Sequence, residues 1–197
     1  MAYEYAVALT GGIATGKSSA TVLLSLYGFR FIDADKIAHS MLDLHHEKIA
    51  ELFGDSFVVD GKVDRGALGQ LVFADSSKRK ALENLLHPLI YNEIERLSEE
   101  QDKFKKPYII DIPLFFEGDR YPINKSITTY TPKNKQLKRL IKRDGYDDAE
   151  ALQRIESQLD IEEKRKRATF VIDNSGDLKQ LQKECERVKE AILESFR

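Results

Sequence analysis

The sequence has little of several features that mark particular classes of protein. It contains one cysteine, Cys185, which excludes an internal disulfide and a zinc site built from several cysteines. No stretch reaches the roughly 18 uncharged apolar residues of a membrane helix. The first residues also lack the basic and apolar regions of a secretory signal. The net charge of -2 gives no general attraction to nucleic acid. We therefore expect a cytoplasmic protein with no membrane partner and no nucleic-acid partner.

What the sequence does have is an alternation of apolar strands with helices. Hydrophobic residues make up 42% of the chain, which is enough for a sizeable core. The predicted strands are residues 3–10, 29–35, 108–113, 125–131 and 168–174. Helices are predicted at about 17–27, over most of 36–104 and of 133–167, and from 178 onward, with an Asp-Gly hairpin turn within 58–63. The alternation predicts an α/β fold, in which helices cover both faces of a parallel five-stranded sheet.

The last predicted helix has one apolar face. Its members are spaced by three and four residues: Leu178, Leu181, Cys185, Val188 and Ile192. We expect this face to cover the sheet, with Cys185 as a small core residue; a dimer seam is the alternative.

A glycine-rich loop follows the first predicted strand. Residues 11–18, GGIATGKS, match the pattern G-x-x-x-x-G-K-[ST] in full, with a strand before them and a helix after them. In such a loop, backbone N–H groups and the positive end of the helix surround phosphate. Lys17 is expected to reach the terminal phosphates, and the Ser18 hydroxyl is expected to bind Mg²⁺. The predicted ATP-binding residues here are Gly12, Ile13, Ala14, Thr15, Gly16, Lys17, Ser18 and Ser19.

The loop alone does not identify the reaction, because kinases, GTPases and motor ATPases all carry it. GTPases usually have an Asn-Lys-x-Asp guanine reader, and residues 124–127, NKSI, lack its aspartate. Motor ATPases need a longer chain and a carboxylate pair after a second strand, where this sequence offers only Asp111. A small-molecule kinase fits the size of the chain best.

The second predicted strand ends in two carboxylates. If Asp33 and Asp35 lie on an extended segment, both side chains point the same way and could face the phosphate loop. Either could hold the acceptor hydroxyl or, through water, the metal ion. The alternative is that one of them only caps the helix that follows. We expect one carboxylate to be catalytic and the other to be structural or on the metal.

The basic stretch 133–167 lies between the fourth and fifth predicted strands, where kinases of this type place a lid. Arg139 and Arg143 are four residues apart on one helical face, and Arg154 and Gln158 repeat that spacing. We expect at least one of Arg139 and Arg143 to contact phosphate, since a guanidinium group suits phosphate oxygens. The run Glu162–Arg167 is predicted to be solvated surface.

These runs resemble the dephospho-CoA kinase family. The matching segments cover nearly the whole chain in the family's order: LTGGIATGKS, FIDADKIAH, DGKVDRGALGQLVF, LENLLHPLI, IIDIPLFFE, QLKRLIKRDG, RIESQ and ATFVIDNSG. Ala14-Thr15 stands where the family usually has Gly-Ser, Ser19 where it often has Thr, and the fourth strand is more polar than the family's valine run.

The resemblance implies ATP-dependent phosphorylation of the ribose 3′-hydroxyl of dephospho-CoA. It implies one kinase domain, residues 1–197, of the P-loop NTPase type, with a core at about 1–35, 105–132 and 168–197, a helical substrate-binding lobe at about 36–104 and a lid at about 133–167. By the same likeness Asp35 is the general base, Lys17 and Ser18 hold ATP and magnesium, and Arg143 or Arg139 holds the transferred phosphate. Residues implied toward the acceptor are Arg65, His87, Leu114 and Glu117, and Asn174 is implied near the adenine.

His87 precedes Pro88, so the sequence also predicts a helix break there, with the histidine bonded to backbone as the alternative to substrate contact. Two other functions stay open at this stage: another small-molecule kinase, and a nucleotide-dependent regulatory protein without an acceptor. We expect a monomer or a weak homo-oligomer.

Overall fold

The computed structural model describes residues 2–118 and 120–197. The chain divides into two compact units. The sheet unit comprises the residues up to Ile32 together with Ser98–Arg197, and the helical unit is Asp33–Leu97.

The strands confirm the predicted parallel sheet. In chain order they are β1 (Ala6–Gly11), β2 (Phe31–Asp33), β3 (Val58–Val59), β4 (Lys62–Val63), β5 (Tyr108–Asp111), β6 (Ser126–Tyr130) and β7 (Phe170–Asp173). The five-stranded sheet has the order β2-β5-β1-β6-β7, and β1 pairs in parallel with both β5 and β6. Every residue of β1 is buried. The central position of β1 explains its continuous apolar run, because a strand covered on both faces has no solvent side.

Helices connect these strands. They are α1 (Lys17–Leu26), α2 (Ala34–Leu44), α3 (His46–Phe53), α4 (Arg65–Ala74), α5 (Ser76–Asp102), α6 (Lys133–Asp144), α7 (Asp148–Glu156), α8 (Ile161–Arg167) and α9 (Leu178–Ser195). Short 3₁₀ turns lie at Asp55–Phe57 and Phe115–Glu117. In the part of the chain that the structure describes, no helix is long and apolar enough to cross a membrane.

The last helix packs on the sheet, as predicted. Four of its apolar residues are buried in the main core together with residues of β1 and α1: Leu181, Cys185, Val188 and Ile192. Burial raises the pKa of the Cys185 thiol to about 11, so this group stays protonated near neutral pH and acts as a core residue. The fifth predicted member is different, since Leu178 is 64% exposed. It is the first residue of α9, and its side chain lies beside a cavity described below.

The polar fourth strand is confirmed as β6. Its threonines are fully buried, and so is Thr131 directly after it. The Thr128 hydroxyl donates to the carbonyl oxygen of Lys164 at 3.2 Å, which satisfies a polar group inside the protein. The Thr129 hydroxyl is buried without a hydrogen-bond partner among the described residues, so the polar groups of this strand are satisfied only in part.

The helical unit has a small core of its own. Ile49, Val63 and Leu68 are buried there, and β3 pairs with β4 in the predicted hairpin. Both turn residues, Asp60 and Gly61, have positive φ angles, of 50° and 71°. Positive φ at both central residues is what a type I′ hairpin turn requires.

The predicted helix break at Pro88 is wrong. Pro88 lies inside α5, which continues to Asp102, so His87 is in mid-helix. A proline removes one backbone hydrogen bond and disfavours helix before it, but it does not forbid helix. Leu86 and Ile94 are buried on either side of Pro88, and their packing holds the two parts of α5 together.

Candidate active site

The glycine-rich loop joins the buried strand β1 to α1 in the predicted way. Gly16, just before α1, has φ +88°, and Ala14 has φ +59°. These left-handed residues turn the backbone sharply, and no side chain caps the first turn of α1. Ser19 and Ala20 donate their N–H groups to the Gly16 carbonyl oxygen, which leaves the N–H groups of Lys17 and Ser18 for an anion, with the helix dipole behind them.

The loop is held from inside the protein by the ends of β6 and β7. The carbonyl oxygen of Thr15 accepts hydrogen bonds from Asn174 Nδ2 at 2.8 Å and from Thr131 Oγ1 at 3.1 Å. The Thr15 hydroxyl donates to the Gly12 carbonyl oxygen at 2.8 Å. Thr15, Thr131 and Asn174 are buried, and buried hydrogen bonds of this kind stiffen the loop.

A second contact reaches the loop from the turn between α7 and α8. Gln158 Oε1 accepts a hydrogen bond from the Ile13 N–H at 2.8 Å. The sequence singled out Gln158 only by its helical spacing from Arg154. The structure places it on the backbone of the phosphate loop.

The Lys17 ammonium lies 2.5 Å from Asp111 Oδ1. The two side chains are 21% and 12% exposed, so the pair is shielded from bulk water. Asp111 ends β5, the strand next to β1, and pairs in register with Leu9. Our site prediction missed this residue. The signal that could have found it is a carboxylate directly after the apolar run YII, at the edge of the sheet where the loop lies.

The loop borders a cavity of about 830 Å³, large enough for a nucleotide. The predicted residues Arg139, Arg143 and Asn174 line it together with the loop. Further lining residues that sequence reasoning did not assign to the site are Lys142, Gln158, Gly176, Asp177 and Leu178. Four cationic side chains and one carboxylate line this cavity, which suits a polyanionic ligand.

The two predicted arginines differ in their contacts. Arg139 donates from Nη1 to Thr131 Oγ1 at 3.2 Å and from Nη2 to the Asn174 carbonyl oxygen at 2.9 Å. Arg143 donates from Nε and Nη2 to both oxygens of Asp144, each at 2.8 Å. This pair raises the pKa of Arg143 and lowers that of Asp144. Among the described residues, Arg143 is thus hydrogen-bonded to its neighbour alone, whereas Arg139 helps to support the loop.

Hard oxygen atoms near the loop are of the kind that Mg²⁺ prefers. Among residues 2–118 and 120–197, no three His, Cys, Asp or Glu side chains form a metal cage. Magnesium in kinases needs no such cage, because it binds one or two protein oxygens together with phosphate and water. The Ser18 hydroxyl, exposed in the first turn of α1, and the Asp111 carboxylate fit this role.

The two carboxylates of the helical unit do not share an extended segment, which corrects the strand-alternation argument. Asp33 ends β2 and caps α2, its Oδ1 accepting from the Lys36 N–H at 3.0 Å. Asp35 is already in the first turn of α2, and its exposed carboxylate makes no hydrogen bond with the described residues. The capping alternative is therefore observed for Asp33.

The residues implied toward the acceptor fall into both units. Arg65 begins α4 in the helical unit, and its Nη2 lies 3.3 Å from Asp43 Oδ2. His87 lies in the part of α5 that belongs to the same unit. In the sheet unit, Leu114 is 52% exposed and precedes the turn that carries Glu117.

The prediction that the run Glu162–Arg167 is solvated surface is wrong for one of its residues. Lys164 is fully buried, and its Nζ lies 2.6 Å from Glu117 Oε1. Ile161, three residues earlier in α8, is also buried. Residues three apart share one helical face, so this apolar neighbour was the signal that Lys164 faces inward.

A parallel sheet with a glycine-rich phosphate loop after its central strand is the framework of P-loop kinases, and this chain has that architecture. The finer assignment comes from the sequence as a whole. Residues 5–180 match the sequence model of the dephospho-CoA kinase (CoaE) family. The chain belongs to the dephospho-CoA kinase family.

Relatives span the full length of the chain. A dephospho-CoA kinase of Sulfurimonas denitrificans is 57% identical over 100% of this chain and 98% of its own length. One from Helicobacter pylori is 43% identical over 98% of this chain and 100% of its own. The solved structure of the dephospho-CoA kinase from Campylobacter jejuni superposes with a TM-score of 0.73 at 36% identity, covering 96% of this chain and 98% of that one.

Proposed function

We propose that the protein transfers the terminal phosphoryl group of ATP to the ribose 3′-hydroxyl of dephospho-CoA, which yields coenzyme A and ADP. This reaction is the last step of coenzyme A biosynthesis. The observation that carries the proposal is the full-length likeness to dephospho-CoA kinases, 57% identity in one of them. The cation-lined cavity at the loop supports it, since a triphosphate needs such a site.

The loop and Lys17 hold ATP in this proposal. Backbone N–H groups of residues 12–19 surround the phosphates. The Lys17 ammonium leaves its ion pair with Asp111 and pairs with the terminal phosphates of ATP instead. The negative charge on the transferred group shifts as it moves, and a fixed ammonium stabilises that charge in the transition state. Ser18 and Asp111 would hold a magnesium ion, and the charge of that ion would offset part of the phosphate charge.

Arg143 and Arg139 supply the remaining positive charge. Both line the cavity with the loop. Arg143 is 59% exposed, and among the described residues it forms an ion pair with Asp144 alone, so its side chain can turn to a phosphate at little cost. We assign the transferred phosphoryl group to Arg143 and the support of the loop to Arg139. Asn174 lies near the adenine in this arrangement.

Asp35 is the general base in this proposal. The oxygen of the 3′-hydroxyl forms a bond to the terminal phosphorus as the bond to the β-phosphate oxygen breaks. The proton of the hydroxyl passes to the Asp35 carboxylate, and the leaving electrons stay on ADP. Asp35 suits this role better than Asp33, because the Asp33 carboxylate is occupied as a helix cap. Arg65, His87, Leu114 and Glu117 contact the acceptor.

The test is ADP release from ATP and magnesium with and without dephospho-CoA, with the product identified by mass. We expect release to depend on dephospho-CoA, and the product to be heavier by one phosphoryl group. ATP binding without this dependence would overturn the acceptor assignment and favour another small-molecule kinase. ATP binding with no transfer to a panel of nucleotides and sugars would favour the regulatory protein.

We also infer that the enzyme works in the cytoplasm as a monomer or a weak homo-oligomer, without a nucleic-acid partner. Sedimentation at several protein concentrations checks this inference, and a tight dimer at the lowest concentration would contradict it.

A further inference from the structure

Lys164 is a buried cation that the reaction described above does not use. Its side chain is fully buried, and its ammonium has three oxygen neighbours in the sheet unit. Glu117 Oε1 lies at 2.6 Å, the Gly11 carbonyl oxygen at 3.2 Å and the Pro113 carbonyl oxygen at 3.5 Å. Burying an ammonium group costs free energy unless such partners surround it, so the role of this buried group needs an explanation.

The partners of Lys164 belong to two functional segments. Gly11 ends β1 and opens the phosphate loop. Pro113 and Glu117 lie in the segment after β5, which also carries Leu114. One ammonium therefore joins the start of the donor loop to the segment that the family likeness places toward the acceptor.

The Glu117 carboxylate is held through one of its two oxygens. Oε1 receives both Lys164 Nζ and the Leu159 N–H, the latter at 3.2 Å. Oε2 accepts no hydrogen bond from the described residues, and the side chain is 23% exposed. Two contacts on one oxygen fix the orientation of the carboxylate and leave the other oxygen for a ligand.

We propose that Lys164 is a positioning residue of the kinase, which fixes Glu117 through their buried ion pair so that Glu117 Oε2 binds a hydroxyl group of the acceptor. This inference rests on the proposed function and names the part of the site that selects the acceptor. Lys164 itself touches neither substrate. It acts through Glu117.

The test is a double-mutant cycle with the variants Lys164→Met, Glu117→Gln and both together. Methionine keeps the length of the lysine stem and removes its charge. We expect each single variant to raise the KM for dephospho-CoA about tenfold, the scale of one charged hydrogen bond, while the KM for ATP changes less than threefold. Because Lys164 acts through Glu117, the double variant should also show about a tenfold rise, rather than the product of the two.

The matched control is Lys166→Met on the same helix. Its side chain is 70% exposed and pairs with Glu163 at 2.7 Å. We expect it to leave both KM values and the melting temperature unchanged. Where Lys164→Met fails to fold because Glu117 is left unpaired, the double variant removes that unpaired charge and is compared with Glu117→Gln alone. Equal KM values for dephospho-CoA in those two proteins support the proposal.

Three outcomes overturn the inference. The first is an unchanged KM for dephospho-CoA in Lys164→Met. The second is an equal rise of both KM values with a lower melting temperature, which means a purely structural ion pair. The third is a KM for dephospho-CoA in the double variant that rises by the product of the two single increases. Failure of the proposed function has a different signature, namely no turnover of dephospho-CoA by the wild-type protein. That result would overturn both the proposed function and this inference.

Discussion

The phosphate loop and the start of α2 both carry groups that we assign to phosphoryl transfer, but their environments differ. The loop is tied down by buried hydrogen bonds from Asn174 and Thr131. The Asp35 carboxylate is exposed and makes no hydrogen bond with the described residues. The backbone of the loop is therefore held in place by the protein itself, whereas the carboxylate that we assign as the base would be oriented by its ligand. Changes in the loop should affect binding and stability, and a change at Asp35 should affect turnover alone.

The largest expected effect is that of Lys17→Ala. We expect kcat/KM to fall at least about a thousandfold, roughly 4 kcal/mol of transition-state stabilisation, because the ammonium meets the charge of the transferred group. Steady-state kinetics measure this fall. Lys138→Ala, an exposed lysine on α6, is the control and should be silent. Near-normal turnover of Lys17→Ala would remove the lysine from the mechanism.

The comparison between the two carboxylates is tested by Asp35→Asn and Asp33→Asn. Loss of a general base typically costs about 10²–10⁴-fold in kcat, so we expect a fall in this range for Asp35→Asn with an unchanged KM for ATP. Asparagine caps a helix as well as aspartate does. Asp33→Asn should therefore keep both stability and activity. If Asp33→Asn instead abolished turnover, the base would be assigned to the wrong carboxylate.

Gly16→Ala tests how firmly the loop is organised. An ideal Cβ at Gly16, where φ is +88°, would lie 2.1 Å from Asn174 Nδ2. We expect the free energy of unfolding to fall by about 3 kcal/mol, from left-handed strain and the lost hydrogen bond to Thr15. The control is Gly69→Ala, in α4 with open space around it. Denaturant titration should show the control stabilised by about 0.5–1 kcal/mol, since alanine favours helix. A stable, ATP-binding Gly16→Ala protein would contradict the rigid loop.

Arginine-to-alanine variants at positions 143 and 139 should differ in whether they lose activity alone or both activity and stability. We expect Arg143→Ala to lower kcat about 10- to 100-fold with unchanged stability, because its partner Asp144 is on the surface. Arg139→Ala should lower kcat and also cost about 1–2 kcal/mol of stability, since it donates to Thr131 and Asn174. Rate and melting temperature together distinguish the two. If both variants keep full activity, neither arginine binds the transferred phosphate.

The smallest effect concerns the one left-handed residue of the loop that is not glycine. Ala14 has φ +59°, in a region that costs an L-residue about 1–2 kcal/mol. We expect Ala14→Gly to raise the free energy of unfolding by about 0.5 kcal/mol, because relief of strain exceeds the extra freedom of the unfolded chain. A loss of stability would mean that the contact of the alanine methyl group with the Leu140 cluster outweighs the strain.

Local sequence patterns predicted the parts of this protein that local forces determine. All five strands of the sheet, the hairpin turn at Asp60-Gly61 and the phosphate loop were predicted, because burial periodicity and positive φ angles leave a direct trace in residue type. Even β6 was predicted, although its threonines weakened the apolar signal. The partner of the Thr128 hydroxyl, the carbonyl oxygen of Lys164, became visible only in the folded chain.

The sequence predictions failed where contacts with residues distant in the chain determine the structure. Lys164 lies in a charged run, and its burial depends on Glu117, which is far away in the sequence. Pro88 stays inside α5 because packing on both sides outweighs one lost hydrogen bond. Asp111 was noted only as evidence against a motor ATPase, since its partner Lys17 comes from another strand–helix junction. The spacing of residues along the chain does not show which residues form pairs across the fold.

In the proposed binding mode, phosphate would compete with Gln158 for the N–H group of Ile13. The Ile13 N–H already has an acceptor within its own molecule, at 2.8 Å. A phosphate oxygen that takes this N–H must displace a rival whose local concentration is set by the segment that carries Gln158. A more flexible segment would lower that concentration and strengthen nucleotide binding. In this proposal, the apparent affinity for ATP would therefore depend on the segment that carries Gln158 as well as on the loop itself.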